Sequence, residues 1–177
     1  KAVGNLVRPT RELKAQVIIT FGPSGIYGHY DHIAVHRWAT IAVNLAADAD
    51  CFPHHVRGSC KPHQVSKVYY RVQPQEVVDS MAAGDEPAAL MMDGVPFYMV
   101  GRDQDEITTV IDVSDYAEQK LQGIQCHATQ VGRHSPFIDA PEEVLSGPGF
   151  CSEHFILAQS TVGWPDETET DLFAGLR

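Results

Sequence analysis

Between Gly25 and Trp38 the chain reads GIYGHYDHIAVHRW, which brings three of its nine histidines, His29, His32 and His36, into one short stretch with Asp31 between the first two. Imidazoles near neutral pH take up or release protons and ligate metals, and a neighbouring carboxylate fixes their tautomer. If a helix begins near Asp31, His32 and His36 stand four residues apart and share a face. His29, in the loop before it, can then point toward the same crevice. One imidazole could bind zinc while a second serves as general acid or base. Asp31 could orient His29 by accepting its second N–H, and Tyr27 could donate to a developing oxyanion. Simpler roles compete with these. Asp31 could be a helix N-cap, and His36 a half-buried helix residue. Residue types and spacing therefore define a metal or acid–base site and leave the choice between them open.

The elements around this stretch give it a position. Ala15–Phe21 is a near-continuous apolar run, the pattern of a strand covered on both faces in a parallel sheet. Turn residues follow, Gly22, Pro23, Ser24, Gly25 and Gly28, and the segment from Asp31 to Ala47 has helical composition without Gly or Pro. Strand, glycine-rich loop and helix make half of a βα unit, and ligands of open α/β sheets bind beyond the carboxyl ends of strands. Upstream, LVRPTRELK predicts a short amphipathic helix interrupted or started near Pro9. Ser66–Val72, PFYMVGR and Ile107–Val113 predict further strands, with a helical turn near Val77. A helix capped by Ser114 or Asp115 is expected to run to about Thr129. SEHFILAQST is short and ambiguous, and PDETETDLFAGL reads as a surface-tracking tail.

At 177 residues the chain suits one domain with a substantial core. Its net charge of −10, with the basic residues scattered, disfavours nucleic acid and anionic lipid as partners. No apolar run is long enough to span a bilayer, and the basic N-terminal residues lack the apolar centre of a signal peptide. The four cysteines, Cys51, Cys60, Cys126 and Cys151, form no close pair of the zinc-finger kind, so reduced thiols in the cytoplasm are expected. CFPHHVRGSC adds His54 and His55 to two cysteines, but Pro53 and Gly58 mark it as a loop.

VIITFGPSGIYGHYDHIAVHR closely resembles the third conserved motif of the LmbE-like, or PIG-L, family of zinc-dependent N-deacetylases. That motif is an apolar strand, a loop of the form G-x-Y-G-H-P-D-H, and a helix. DVSDYAEQKLQGIQCHATQ resembles the family's later helix with its H-x-[ST]-Q ending, and ETDLFAGLR resembles a C-terminal ending in the family. The resemblance implies a Rossmann-like α/β fold, with a mostly parallel sheet flanked by helices. It implies hydrolysis of the N-acetyl group of an N-acetylglucosamine-type sugar or glucosamine conjugate. By position, His32 would be a zinc ligand, His29 the catalytic imidazole, Asp31 its orienting carboxylate and Tyr27 a mobile substrate or oxyanion contact. His127 matches a family position without an assigned role.

Two departures accompany the match. Tyr30 stands where the family usually has proline. The family's first motif, A-H-P-D-D, which supplies two zinc ligands and the general base, has no counterpart. The expectation is that residues 1–177 are the C-terminal part of one such domain, incomplete at the N-terminus, exposing core surface unless a separate segment or a second copy covers it. Three readings follow: a zinc amidohydrolase of amino sugars once that segment is supplied, a non-catalytic sugar- or partner-binding fragment, and an amidase of a thiol–sugar conjugate.

Overall fold

The computed structural model describes residues 1–57, 60–82, 86–92, 94–129 and 142–177. Helix α1 (Ala2–Leu13) leads into strand β1 (Val17–Phe21). A short helical turn α2 (Gly25–Gly28) and the long helix α3 (Tyr30–Ala47) follow. Strand β2 (Lys67–Pro74) runs parallel to β1, with Val17 opposite Lys67 and Phe21 opposite Arg71. Next come α4 (Gln75–Ser80), the hairpin of β3 (Ala89–Met92) and β4 (Val95–Tyr98), and β5 (Gly101–Arg102) beside the end of β2. The rest is β6 (Thr109–Asp112), α5 (Ala117–Gln125), α6 (Glu142–Leu145), α7 (Pro148–Cys151) and β7 (Ser152–Ser160).

The α/β architecture agrees with the sequence, but the sheet is mixed rather than mostly parallel. Its order is β1-β2-β7-β6, and β7 lies antiparallel to both of its neighbours. The segment that read ambiguously is therefore central. β1, expected to be covered on both sides, is an edge strand among the described residues, and its Ile19 is half exposed. On α3, Trp38 and Ile41 are similarly open to solvent.

Two further differences have local causes. α1 runs through Pro9 instead of stopping there. An interior proline removes one helical hydrogen bond, but the packed side chains Val7, Thr10 and Arg11 hold this helix, and the Thr10 hydroxyl donates to the Leu6 carbonyl at 2.8 Å. α5 ends at Gln125 rather than near Thr129 and begins after a 3₁₀ turn at Ser114–Tyr116, without a side-chain cap. It contains Gly123 and buries no residue, so little packing extends it.

Strand alternation on β2 divides the core. Val68 and Tyr70 face the helical layer with Val43, Val65 and Ile18, and α1 packs on α3 through Val7, Ala42 and Ala46. On the opposite face Tyr69 packs with Phe155, Leu157 and Leu172.

Among the described residues two cations are buried within this frame. Arg11 is fully enclosed, and its guanidinium donates to the carbonyls of Leu45, Ala46, Asp48, Cys51 and Phe52 at 2.6–3.3 Å. It thereby supplies donors, and a positive charge, to the carboxyl end of α3. Lys67, beneath Tyr69, is ion-paired with Glu169. Glu169 also accepts from the Tyr69 hydroxyl at 2.7 Å and from the Thr109 hydroxyl at 3.1 Å. The segment read as a surface tail is thus fastened to the sheet, and its backbone adds to β6 through Val110 N–H to Glu169 C=O at 2.9 Å.

Replacing Arg11 with methionine strands those carbonyls, and chemical denaturation should show a loss of about 2–4 kcal/mol. Burial alone would raise the Glu169 carboxyl, but hydrogen bonds from Lys67 and Tyr69, with the Lys67 charge, outweigh it and hold the group below its ordinary value near 4.5. A carboxyl depressed in the folded state stabilises above its unfolded value, and that contribution disappears as pH falls through the folded value. The urea midpoint of the protein should therefore drop as pH falls below 4.5. Glu169→Gln should flatten that dependence and lower stability at neutral pH.

Candidate active site

Phe21, the last residue of β1, is the surface on which the site is built. The chain leaves it, turns at Gly22–Gly25 with a Gly25 N–H to Gly22 C=O bond of 3.0 Å, and starts α3 at Tyr30. So tight a reversal needs left-handed backbone. Gly25 has φ 61° and Gly28 φ 78°, which glycine adopts freely. Ile26 has φ 68°, an outlier for a β-branched side chain. Its side chain is buried, and its carbonyl accepts from the Val100 N–H at 2.7 Å, so surrounding contacts hold the strain.

His29 is the N-cap of α3, and its Nδ1 accepts from the Asp31 backbone N–H at 3.2 Å. In the neutral ring the proton then sits on Nε2. The N-cap is thus His29 and not Asp31; Asp31 lies exposed in the first helical turn, where its charge suits the helix dipole. Its link to His29 runs through its main chain.

His32 lies flat on Phe21, with ring centroids 3.9 Å apart and planes within 4°. Its Nδ1 is 3.2 Å from the Gly25 carbonyl, which assigns the proton to Nδ1 and leaves an Nε2 lone pair 3.5 Å from the Tyr27 hydroxyl. Burial lowers the His32 pKa, and the neighbouring His29 adds to this against the opposing effects of the Gly25 carbonyl and Asp31. A neutral ring with its lone pair on Nε2 is the form that ligates a metal or accepts a proton. Burial also raises the Tyr27 phenol, so it remains a donor. The His29 and His32 rings are 5.0 Å apart, with Tyr27 4.9 Å from His32.

His36, one turn further along α3, points its Nδ1 at the Phe21 carbonyl at 2.9 Å and packs edge-on against Tyr70. Those contacts make it a tie between α3 and β1. His127 is exposed just beyond α5; Gln130, which closes the H-x-[ST]-Q match, lies outside the described residues, as does Gly58 of the cysteine loop. All four cysteines are free thiols.

Phe97 on β4 was not singled out by the sequence. Its ring stands 5.8 Å from His29, 6.5 Å from Tyr27 and 6.0 Å from Tyr30. PFYMVGR signals a strand, and nothing in that pattern tells which aromatic faces the histidines.

Among the described residues, no three His, Cys, Asp or Glu side chains are grouped to hold a metal ion. His32 fits one ligand position, and a catalytic zinc normally takes about three protein ligands. The described residues therefore offer one corner of such a site and cannot hold the ion alone. None of their helices is long and apolar enough to cross a membrane.

No protein-family model matches the chain. Over 99% of its length it is 38% identical to a 1D-myo-inositol 2-acetamido-2-deoxy-alpha-D-glucopyranoside deacetylase of Streptomyces griseus, covering 54% of that protein. Proteins with the same description from Streptomyces avermitilis and Thermobispora bispora are 36% and 34% identical over 99% of the chain, which covers 59% and 62% of them. The chain thus spans about half the length of the curated relatives it matches.

The turn that places His32 tolerates little. A Cβ at Gly25 would meet His32 Cβ at 3.0 Å and the Ile33 backbone nitrogen at 3.2 Å, at a positive φ. Gly25→Ala should cost about 1–3 kcal/mol in denaturant unfolding, and the His32 ring signals in an NMR spectrum should lose the upfield shift that stacking on Phe21 imposes.

Proposed function

We propose that this chain carries the histidine side of an amidohydrolase active site that removes the acetyl group from an N-acetylglucosamine conjugate, with zinc as its metal. The observation that carries the proposal is the neutral His32, its Nε2 lone pair directed at the Tyr27 phenol 3.5 Å away and set beside His29 at the carboxyl end of β1. The similarity to deacetylases of an acetamido sugar supports the same reaction class. His32 would be one ligand, the others coming from outside the described residues. Zinc, when bound in an amidohydrolase, polarises the amide carbonyl and lowers the pKa of water.

The chain's own groups have defined parts in this reading. With Nδ1 occupied by the Asp31 N–H, His29 presents an Nε2–H to the oxygen that gains charge as the amide carbon becomes tetrahedral. Tyr27 supplies a second donor to the same oxygen. Phe97, 5.8 Å from His29, gives that imidazole an apolar neighbour on one side. The absence of a three-ligand cluster among the described residues favours a second reading, a domain that binds an amino sugar without hydrolysing it. An amidase of a thiol–sugar conjugate would use the same groups on another amide.

Zinc content and acetate release by the full-length protein separate these. His32→Ala should lose the metal. His29→Ala should keep it and fall by about 10²–10⁴ in kcat/KM. Full activity in zinc-loaded His29→Ala would remove His29 from the mechanism, and a folded wild type without zinc or acetate release would leave the binding reading. Faster cleavage of a thiol–sugar amide than of the acetamido sugar would select the third.

A further inference from the structure

Helix α1 and the loop that follows α3 frame a cavity of about 390 Å³, lined by Arg8, Glu12, His54, His55, Arg57 and Cys60. The loop side is fixed by its own contacts. Phe52 takes a left-handed backbone, φ 51°, and its ring lies against α1 where Gly4 leaves space. Arg11 donates to the carbonyls of Cys51 and Phe52. A 3₁₀ turn at Pro53–His55 follows, and the His55 ring stacks on Phe52 with centroids 5.2 Å apart. His54 stands edge-on to His55 at 4.3 Å. Both imidazoles are thereby placed at the cavity.

Two histidines and a thiol in one wall suggest a metal by residue type. Among the described residues, however, no three His, Cys, Asp or Glu side chains are grouped to hold one, and two guanidinium charges repel a cation. The wall suits an anion. Glu12 is its one carboxylate, bound to Arg8 Nε at 2.7 Å, and both members of that pair are exposed, so it is weakly held. The terminal nitrogens of Arg8 and the Arg57 guanidinium make no hydrogen bond among the described residues. Burial lowers the His55 pKa, and His54, Arg11 and Arg8 lower it further, with Glu12 alone opposing them. Cations are thus crowded here in a chain whose net charge is −10. His55 Nδ1 is also buried without a hydrogen-bond partner among the described residues, the kind of unmet demand that a bound ion or water answers.

The shape of the donor set narrows the anion. Donors come from α1 on one side and from the loop on the other, and a phosphate monoester offers three strong acceptor oxygens to meet them. A planar carboxylate offers two. Pockets that take a whole small ligand run to roughly 300–1,000 Å³, so the cavity has room for a small body behind the phosphate. A nucleic-acid backbone would meet the repulsion of the acidic chain around it. We propose that this cavity binds the phosphate group of a small phosphorylated molecule, held by Arg8 and Arg57 with an imidazole N–H from the His54–His55 pair. The site is independent of the deacetylase reading and stands or falls without it.

The test is a heteronuclear NMR titration of the full-length protein at fixed pH and ionic strength, following the ring signals of His54, His55 and His32. The probes are inorganic phosphate, methyl phosphate, acetate and zinc. Both phosphates should shift the His54 and His55 signals saturably and leave His32 unmoved, and acetate should bind at least about tenfold more weakly. Arg57→Met should weaken phosphate by about tenfold or more. Glu12→Gln removes the competing carboxylate and should tighten it by about threefold, a gain that a damaged fold cannot imitate. No saturable shift with phosphate, equal affinity in Arg57→Met, or weaker binding in Glu12→Gln would each overturn the proposal. So would acetate binding as well as phosphate, or zinc shifting both rings where phosphate does not. Binding of inorganic phosphate without methyl phosphate would overturn the phosphorylated small molecule as its ligand.

Discussion

The reversal from Phe21 to His29 is the constraint on which the site depends. The chain must leave the carboxyl end of β1 and re-enter as a helix directly above it, and it does so with left-handed backbone at Gly25, Ile26 and Gly28. Phe21 is then used twice. Its ring supports His32, and its carbonyl anchors His36 one helical turn later. Strand and helix cannot shift relative to each other without breaking both contacts. Arg11 fixes the other end of α3, so the helix bearing the histidines is held at both termini.

That double hold suits the proposed chemistry. Two imidazoles with opposite proton placement, Nε2–H in His29 and Nδ1–H in His32, stand side by side because different backbone groups occupy their other nitrogens. A carboxylate would have held the proton of one ring, as expected of Asp31. A main-chain amide does so here without adding charge, and burial outweighs the Gly25 carbonyl and the Asp31 charge in lowering the His32 pKa.

The sequence made the histidine loop legible because everything that defines it is local. Glycines, turn residues, an apolar strand and a helix without breakers lie within about thirty consecutive residues. The partners that hold the rest are remote. Arg11 finds its carbonyls 34 to 41 residues later, and Lys67 finds Glu169 across 102. PDETETDLFAGL looks solvated because its acidic residues are interspersed with threonine, and no local feature separates Glu169 from Glu167. Sheet order was hidden for a similar reason. β7 is an apolar stretch whose direction is decided by pairing with β2, and pairing leaves no periodic mark on SEHFILAQS. Pro9 misled in the opposite sense, since a local penalty was overridden by packing on α3.

The distance between Lys67 and Glu169 also has a consequence in time. During synthesis, β1, α3 and β2 emerge together and can pair, but the ammonium of Lys67 then has no carboxylate to meet it. Burying it alone would be costly, so the Tyr69 face of the sheet stays wet until Glu169 follows 102 residues later. At translation rates of about 5–20 residues per second that is a wait of roughly 5–20 s. Helix packing can settle on one side of the nascent sheet well before the other side closes, and the open side is the surface that a ribosome-associated chaperone would meet.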